Sequence, residues 1–184
     1  MSKLLMEYKD IRNNINLKLN NWKNIKTTNC YAFAMGLDIP YDKICSRAYS
    51  YSLGEMGKYI YDLSSNEIYV IPYKYRFMMD MDALDIKVSE ANQFDKSLCD
   101  IDSDGYLSWL IALYQIESHR SKDFHMLRKS PDGIWYHKRG YKGKINNKDD
   151  KGIIIKDLDQ ASIEYHIENK QYKMIGVYNL RLKK

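Results

Sequence analysis

The sequence predicts an α+β domain, with helices in the first part of the chain and an antiparallel sheet in the last third. Apolar residues recur at spacings of three and four between residues 3 and 20, which is typical of an amphipathic helix. Strand-like runs lie on both sides of the turn sequence Ser130-Pro131-Asp132-Gly133. The chain has 184 residues, of which 45% are hydrophobic, so it can bury a hydrophobic core, and we expect one domain over residues 1–184.

The first half of the chain contains signals for three helices and one strand. We expect helices over residues 3–20, 30–35 and 55–63, the second capped by Thr28 or Asn29 and ended by Gly36. Residues 67–75 are β-branched and aromatic, which predicts a strand that Pro72 confines to the edge of a sheet. Residues 84–104 show no clear period and predict loop and turn.

The last third of the chain has the clearest strand signals. The apolar run over residues 106–116 predicts a strand, and residues 124–128 and 134–137 predict the two arms of a hairpin. Further strands are expected over residues 153–155 and 174–182, with a short helix over residues 159–168.

Composition excludes several classes of protein. The three cysteines have unrelated spacings and form no CxxC pair, which argues against a disulfide framework and a structural zinc site. No apolar run reaches 18 residues, so we expect no membrane span. The charged first residues do not resemble a signal peptide, which predicts a cytoplasmic protein or one exported without a classical signal. Nothing in the sequence calls for a cofactor or a metal ion.

Cys30 is the candidate nucleophile. Its predicted position in the first turn of a helix is expected to lower the pKa of the thiol, and the N–H groups there can hold an oxyanion. The side-chain amide of Asn24 or Asn29 is a candidate second oxyanion donor. The alternative is that Cys30 is a small buried residue that packs beside Phe33, as unreactive cysteines commonly do.

His125 and His137 are the candidate general base and its orienting partner. A hairpin centred on Pro131 places them opposite each other, and directly opposed residues share one face of the sheet. One imidazole can then accept a proton while the other sets its tautomer. The alternative for each histidine is a structural role on the hairpin. A metal site formed with Cys30 is less favoured, because no close ligand pair has a zinc-like spacing.

The segment Asn29-Cys30-Tyr31-Ala32-Phe33-Ala34 resembles the Cys-aromatic-Ala-Phe segment that opens the central helix of papain-like enzymes. Residues 123–140 resemble a set of bacterial and phage proteins that share D-[YF]-H-x-x-R and D-G-x-W-x-H-K-x-G patterns. These proteins continue with an N-x-D-x-x-G-x-x-I-x-D tract, which appears here as Asn146/Asn147, Asp149, Gly152, Ile155 and Asp157. The resemblance covers residues 24–36 and 105–180.

This resemblance implies a papain-like fold, related to papain proteases and NlpC-type cell-wall endopeptidases. It implies that Cys30 is the nucleophile, that His125 is the base and that a polar group on the next strand is the third member. His137 fits this third position better than Asp149 or Asn146 do. Asn29 stands where NlpC-type enzymes commonly have aspartate, and Asn24 where papain has glutamine, so the oxyanion donor stays open.

The function predicted from these residues is a thiol hydrolase that cleaves an amide or peptide bond. The substrate class is a peptide, a protein or a cell-wall peptide, and Tyr31 and Trp135 are predicted to contact it. One alternative is a catalytically degenerate papain-like binding protein. A second is nucleic-acid binding by residues 119–151, which carry ten Lys/Arg against four acidic residues, with Trp135, Tyr136 and Tyr141 as candidates for base stacking. His119, His166, Cys45 and Cys99 are assigned no role.

Overall fold

The computed structural model describes residues 11–19, 28–37, 53–54, 56–117, 122–140, 143–165 and 170–184. The helices in this part of the chain are α1 (Cys30–Ala34), α2 (Gly57–Ile60), α3 (Ser65–Val70) and α4 (Tyr73–Ala83). The strands are β1 (Ile86–Glu90), β2 (Asp100–Ile101), β3 (Tyr106–Glu117), β4 (Lys122–Lys129), β5 (Trp135–Lys138), β6 (Ile145–Asn146), β7 (Glu164–Tyr165), β8 (Lys170–Gln171) and β9 (Lys173–Lys183).

One antiparallel sheet dominates the described structure. Its strand order is β1-β9-β3-β4-β5-β6, and β2 pairs with β3. The small β7–β8 pair forms a separate ladder. The long central strands and the hairpin formed by β4 and β5 match the expected positions. The predicted α+β class is therefore confirmed, with helices that precede the sheet in the chain.

The two faces of this sheet carry different structures. One face holds Trp109, Ile111, Leu113 and Met126, and it packs against α1 and α4 in the larger hydrophobic cluster. We call it the helix face. The opposite face holds Leu110, Ala112, Tyr114, Leu127 and Trp135, and packs against Ile155, Leu158 and Ile163 of the segment after β6. We call it the loop face.

Helix α1 begins and ends where its sequence predicts. The side-chain oxygen of Asn29 accepts a hydrogen bond from Ala32 N–H and caps the helix. Gly36 has φ +72°, the left-handed conformation that ends a helix without steric cost for glycine. Its carbonyl accepts from Asn16 N–H, which ties the segment before Lys18 to the end of α1. The cap and the glycine together limit α1 to five residues.

The predicted strand over residues 67–75 is wrong, because this segment forms the end of α3 and the start of α4. Ser64 and Glu67 form a reciprocal capping box, which satisfies the first N–H groups of α3. Pro72 ends α3 and caps α4, since proline fits before the first turn of a helix. The β-branched composition was misleading, because these local capping interactions outweigh strand propensity.

Other segments also differ from expectation. Residues 84–104 contain β1 and β2, although residues 102–105 form the expected turn. The helix expected over 159–168 is absent from its described part, where residues 158–160 form a turn and β7 follows. Residues 153–155 contribute a single bridge, Lys148–Ile154. The first predicted helix is helical only over residues 11–13 of its described part, because Ile15 pairs with Leu37 instead.

None of the helices within the described ranges has the length and apolar character needed to cross a bilayer.

Candidate functional site

The Cys30 thiol is buried and protonated in this structure. Only 7% of the residue is exposed, and burial raises the pKa of the thiol from 9.0 to about 12. Backbone N–H groups of Met126, Tyr31 and Cys30 lower the pKa but do not offset the lost hydration. The expected lowering of the thiol pKa by the helix start is therefore wrong, because α1 is short and desolvation outweighs its N–H groups.

The Cys30 sulfur meets the sheet beside His125. The Met126 N–H that hydrogen-bonds the sulfur belongs to the peptide unit joining His125 to Met126. The register of β4 and β5 runs from Lys129–Trp135 to Leu127–His137 and ends there, so Met126 lies just beyond the last pair. The Cys30 sulfur therefore accepts a hydrogen bond from Met126 N–H, at a residue of β4 that has no pairing partner in β5.

The two histidines are joined directly. His125 Nε2 and His137 Nδ1 are 2.8 Å apart, and the rings meet edge to face with centroids separated by 5.1 Å. His137 lies opposite Leu127 rather than opposite His125, so the predicted register is wrong by two residues. The loop is centred on Asp132 rather than Pro131. Because side chains alternate between faces, a shift of two residues leaves His125 and His137 on the same face of the sheet. The expected contact between the two histidines is therefore confirmed.

The hydrogen bonds of this pair determine its tautomers. His137 Nε2 lies 2.9 Å from the carbonyl oxygen of Lys148, which can only accept, so Nε2 carries a proton. Neutral His137 then accepts at Nδ1, and His125 must donate from Nε2. This leaves the lone pair of neutral His125 on Nδ1. The chain His125–His137–Lys148 is a relay whose basic nitrogen is His125 Nδ1.

Both imidazoles are held neutral. Burial lowers the pKa of His125 well below 6.5, and repulsion from a protonated His137 and from Arg139 would lower it further. Burial also lowers the pKa of His137, although the Lys148 carbonyl opposes this effect. The thiol and the imidazoles are therefore all neutral, and the site holds no resting thiolate–imidazolium pair.

Cys30 and the two histidines lie on opposite faces of the sheet, beside β4. Helix α1 packs on the helix face, where Arg128 Nη1 donates to Phe33 O at 3.0 Å. His125 lies opposite Tyr114, and that pair points to the loop face. Within the described part of the chain, no hydrogen bond joins the Cys30 thiol to either imidazole. The sulfur and the imidazole are separated by the backbone of β4 at the point where β5 stops covering it.

The two alternatives for the third member are engaged elsewhere. Asp149 accepts hydrogen bonds from the N–H groups of Lys151, Ile153 and Ser162, which hold the loop after β6. Asn146 accepts from the backbone of the two residues that follow it. Both residues shape the segment that presents the Lys148 carbonyl. Among the three candidates considered, His137 is the one that hydrogen-bonds His125.

The oxyanion candidates differ in what the structure describes. The side-chain oxygen of Asn29 caps α1, as given above, and Asn24 lies outside the described residues. Lys138 is a charged residue near the thiol that sequence reasoning missed. It is completely buried, and its ammonium donates to Gly140 O. Burial lowers the pKa of Lys138 to about 8, an effect that a thiolate at Cys30 would oppose. Strand alternation could have found it, since Lys138 follows His137 and therefore points to the helix face.

The predicted substrate contacts of Tyr31 and Trp135 are not supported, because both side chains are completely buried. Tyr31 donates its hydroxyl to Asp80 at 3.0 Å, and Trp135 packs in the cluster on the loop face. Both lie next to a site residue in sequence, but neither has a surface that a substrate could reach. Both aromatic rings pack in the hydrophobic core.

The basic segment is less exposed than its charge suggests. Arg128, Lys129 and Lys138 are buried, and Arg139 forms an ion pair with Asp150. Trp135 cannot stack on a base, and Tyr141 lies outside the described residues, as do Cys45, His119 and His166. These positions remove much of the basis for the nucleic-acid alternative, although Lys144 before β6 and Lys148 and Lys151 after it are exposed.

Comparison of the chain with models of protein families, with curated proteins and with solved structures gave no match. Within the described residues, no group of three or more His, Cys, Asp or Glu side chains is arranged to hold a metal ion. The assignment of function consequently rests on the geometry of Cys30, His125 and His137.

Proposed function

We propose that this protein is a thiol hydrolase of papain-like fold that cleaves an amide or peptide bond, with Cys30 as nucleophile, His125 as general base and His137 as the orienting residue. The observation that carries the proposal is the relay from Lys148 through His137 to His125. It places the basic lone pair on Nδ1 of the residue whose peptide unit hydrogen-bonds the Cys30 sulfur.

In the proposed reaction the thiolate forms only as it attacks. His125 Nδ1 accepts the thiol proton while the sulfur bonds to the substrate carbonyl carbon. Collapse of the tetrahedral intermediate breaks the C–N bond, and the leaving amine takes the proton from His125. Water, deprotonated by His125, then attacks the thioester carbonyl carbon. The C–S bond breaks, the carboxylic acid leaves, and the Cys30 sulfur takes the proton back from His125. His137 keeps the same hydrogen bond throughout and stabilises the transient imidazolium.

The neutral site determines what this mechanism requires of the substrate. Because the pKa of Cys30 is about 12, the thiol does not ionise by itself near neutral pH. A bound substrate must therefore bring the sulfur and His125 Nδ1 together at the part of β4 that β5 does not pair. Binding of the substrate, rather than a preformed ion pair, thus activates the nucleophile.

Acyl transfer from p-nitrophenyl acetate tests the proposal without knowledge of the natural substrate. We expect the acetyl group to form a thioester on Cys30 with release of p-nitrophenolate, detected by intact mass and peptide mapping. His125→Ala should abolish this acylation, whereas Cys99→Ser should leave it unchanged. Acetylation of Cys30 no faster than that of Cys99, or equally fast in His125→Ala, would contradict the proposal.

A non-catalytic binding protein is the second candidate, and the buried, protonated thiol favours it. In that case Cys30 packs as a small apolar residue between α1 and β4, and the two histidines are a satisfied polar pair under the loop face. The acylation assay separates the candidates, because a structural cysteine gains nothing from His125.

A further inference from the structure

A cavity of about 520 Å³ lies at the turn end of the hairpin formed by β4 and β5. Three parts of the chain form its walls: Leu17, Lys18 and Leu19 before α1, Cys99 before β2, and the hairpin itself. The cavity is within the volume range of sites that take small molecules.

The walls combine apolar surface with positive charge. Leu17, Leu19 and the ring of Tyr136 supply apolar surface, and Lys18 and Arg128 supply two cations. Among the described lining residues, the one carboxylate is Asp132, which accepts the hydroxyl hydrogen of Ser130 and so is already engaged by the turn. The formal charge of these described residues is therefore positive.

The buried positive charge of Arg128 in the cavity wall favours the binding of an anion. Its side chain is 2% exposed, and the guanidinium is fixed by Phe33, to whose carbonyl it donates and over whose ring it lies at 4.5 Å. Burial removes water from this guanidinium and lowers its pKa to about 10. An anion in the cavity would stabilise this charge through charge-assisted hydrogen bonds.

We propose that this cavity is a binding site for a small organic anion, a carboxylate or phosphate joined to a flat apolar body. The anionic group lies between Lys18 and Arg128, and the body packs against Leu17, Leu19 and Tyr136. The site is independent of the hydrolase proposal, because it contains Cys99 rather than Cys30 and none of its lining residues belongs to the relay.

Calorimetric titration with benzoate, phenyl phosphate and benzyl alcohol tests the proposal at matched ionic strength. We expect saturable binding of the two anions and at least about tenfold weaker binding of the neutral alcohol, since only the anions complement the buried guanidinium. Whichever anion binds more tightly identifies the natural anionic group as carboxylate or phosphate. Equal affinity for benzyl alcohol, or no saturable binding of either anion, would overturn the proposal.

Charge-changing variants locate the site. Lys18→Glu reverses an exposed charge in the wall and should weaken binding of benzoate about tenfold, whereas Lys156→Glu makes the same change at an exposed residue outside the cavity and should have little effect. Arg128→Met should abolish binding if the variant folds, and Lys18→Glu decides the question if it does not. Equal effects of Lys18→Glu and Lys156→Glu would show that overall charge alone attracts the anion and would refute the site.

Cys99 supplies a second measurement in the unmodified protein. Saturating benzoate should slow the alkylation of Cys99 and leave that of Cys30 unchanged, because only Cys99 lines the cavity. If benzoate binds without protecting Cys99, its binding site lies elsewhere and the assignment of the cavity fails.

Discussion

Individual residues in this protein owe their properties to burial more than to their local sequence. Cys30 occupies a helix start, a position that commonly activates a thiol, yet the loss of hydration determines its protonation. Asp80 shows the same effect: it accepts hydrogen bonds from Tyr31 and from the N–H groups of Gly54, Met56 and Gly57, while burial raises its pKa to about 7. Packing around each group thus decides its chemistry.

The alkylation of Cys30 should depend steeply on pH. Since the pKa of the thiol is about 12, the thiolate fraction rises about tenfold for each pH unit below that value. We expect the rate constant for iodoacetamide to increase in this way from pH 7 to pH 10, as measured by peptide mapping. A plateau near neutral pH would instead indicate a stabilised thiolate.

Two tyrosine substitutions should have opposite effects on stability. Tyr31→Phe removes a buried hydrogen bond to Asp80 and should lower the free energy of unfolding by about 1–2 kcal/mol. Tyr114→Phe is the matched control, because the buried Tyr114 hydroxyl has no hydrogen-bond partner in the described part of the protein. It should be neutral or slightly stabilising. Urea denaturation measures both, and equal losses would contradict this reading of the two hydroxyls.

At the scale of elements, the β4–β5 hairpin organises the proposed site. The pairing places His125 and His137 on one face, and the end of the pairing after Leu127–His137 exposes the Met126 N–H to the Cys30 sulfur. The loop after β6 completes the arrangement by presenting the Lys148 carbonyl to His137. The end of the β4–β5 pairing therefore lies next to Cys30 on the helix face and next to the two histidines on the loop face.

His137→Ala should impair acylation of Cys30 less than His125→Ala does. His137 orients the base and stabilises its charge, whereas His125 itself carries the proton. Rates of p-nitrophenolate release measure the difference. Asp149→Ala should also reduce the rate, since its hydrogen bonds hold the loop that carries Lys148. Full activity of His137→Ala would remove it from the proposed triad.

The capping box of α3 should contribute measurably to stability. Ser64→Ala removes the side-chain acceptor for Glu67 N–H and should lower the free energy of unfolding by about 1 kcal/mol. Ser103→Ala, in the turn before β3, is a control at a serine that caps no helix. Equal effects of the two changes in urea denaturation would contradict the capping role.

At the scale of the whole molecule, the sheet separates two hydrophobic clusters, and buried ionisable groups lie at both of its surfaces. Asp80, Cys30 and Lys138 belong to the helix side, while His125 and His137 belong to the loop side. Each group is less hydrated in the folded than in the unfolded chain, so the stability of the fold depends on pH.

The two buried histidines should lower the free energy of unfolding as the pH drops below about 6.5, and together they outweigh the opposite contribution of the single Asp80, whose pKa is raised to about 7. The folded-state pKa of both His125 and His137 is lowered, so the unfolded chain binds protons that the folded chain rejects. Their contribution is present above pH 6.5 and is lost as the pH falls toward the folded-state pKa values, at up to about 1.4 kcal/mol per pH unit for each histidine. His125→Gln should flatten this dependence in urea denaturation between pH 7 and pH 5. An unchanged slope would show that His125 is protonated in the folded protein.

Local patterns in the sequence were sufficient to predict α1 with its Cys30 start and Gly36 end, the long strands β3 and β9, and the hairpin that brings His125 and His137 to one face. These features depend on residues close together in the chain, through capping, alternation and turn formation. The strand predicted over residues 67–75 is wrong because the Ser64–Glu67 capping box, which is also a local signal, outweighs the β-branched composition of this segment.

The tertiary structure decided the features that depend on distant contacts. It placed α1 and the histidines on opposite faces of the sheet, buried Tyr31 and Trp135, and raised the pKa of Cys30 by desolvation. It also ended the β4–β5 pairing at Leu127, so that the N–H of the neighbouring Met126 is left for the Cys30 sulfur. The sequence alone determined which chemical groups are present and which local element carries each of them. Hydration and mutual distance came only from the tertiary structure, because both depend on packing between elements far apart in the chain.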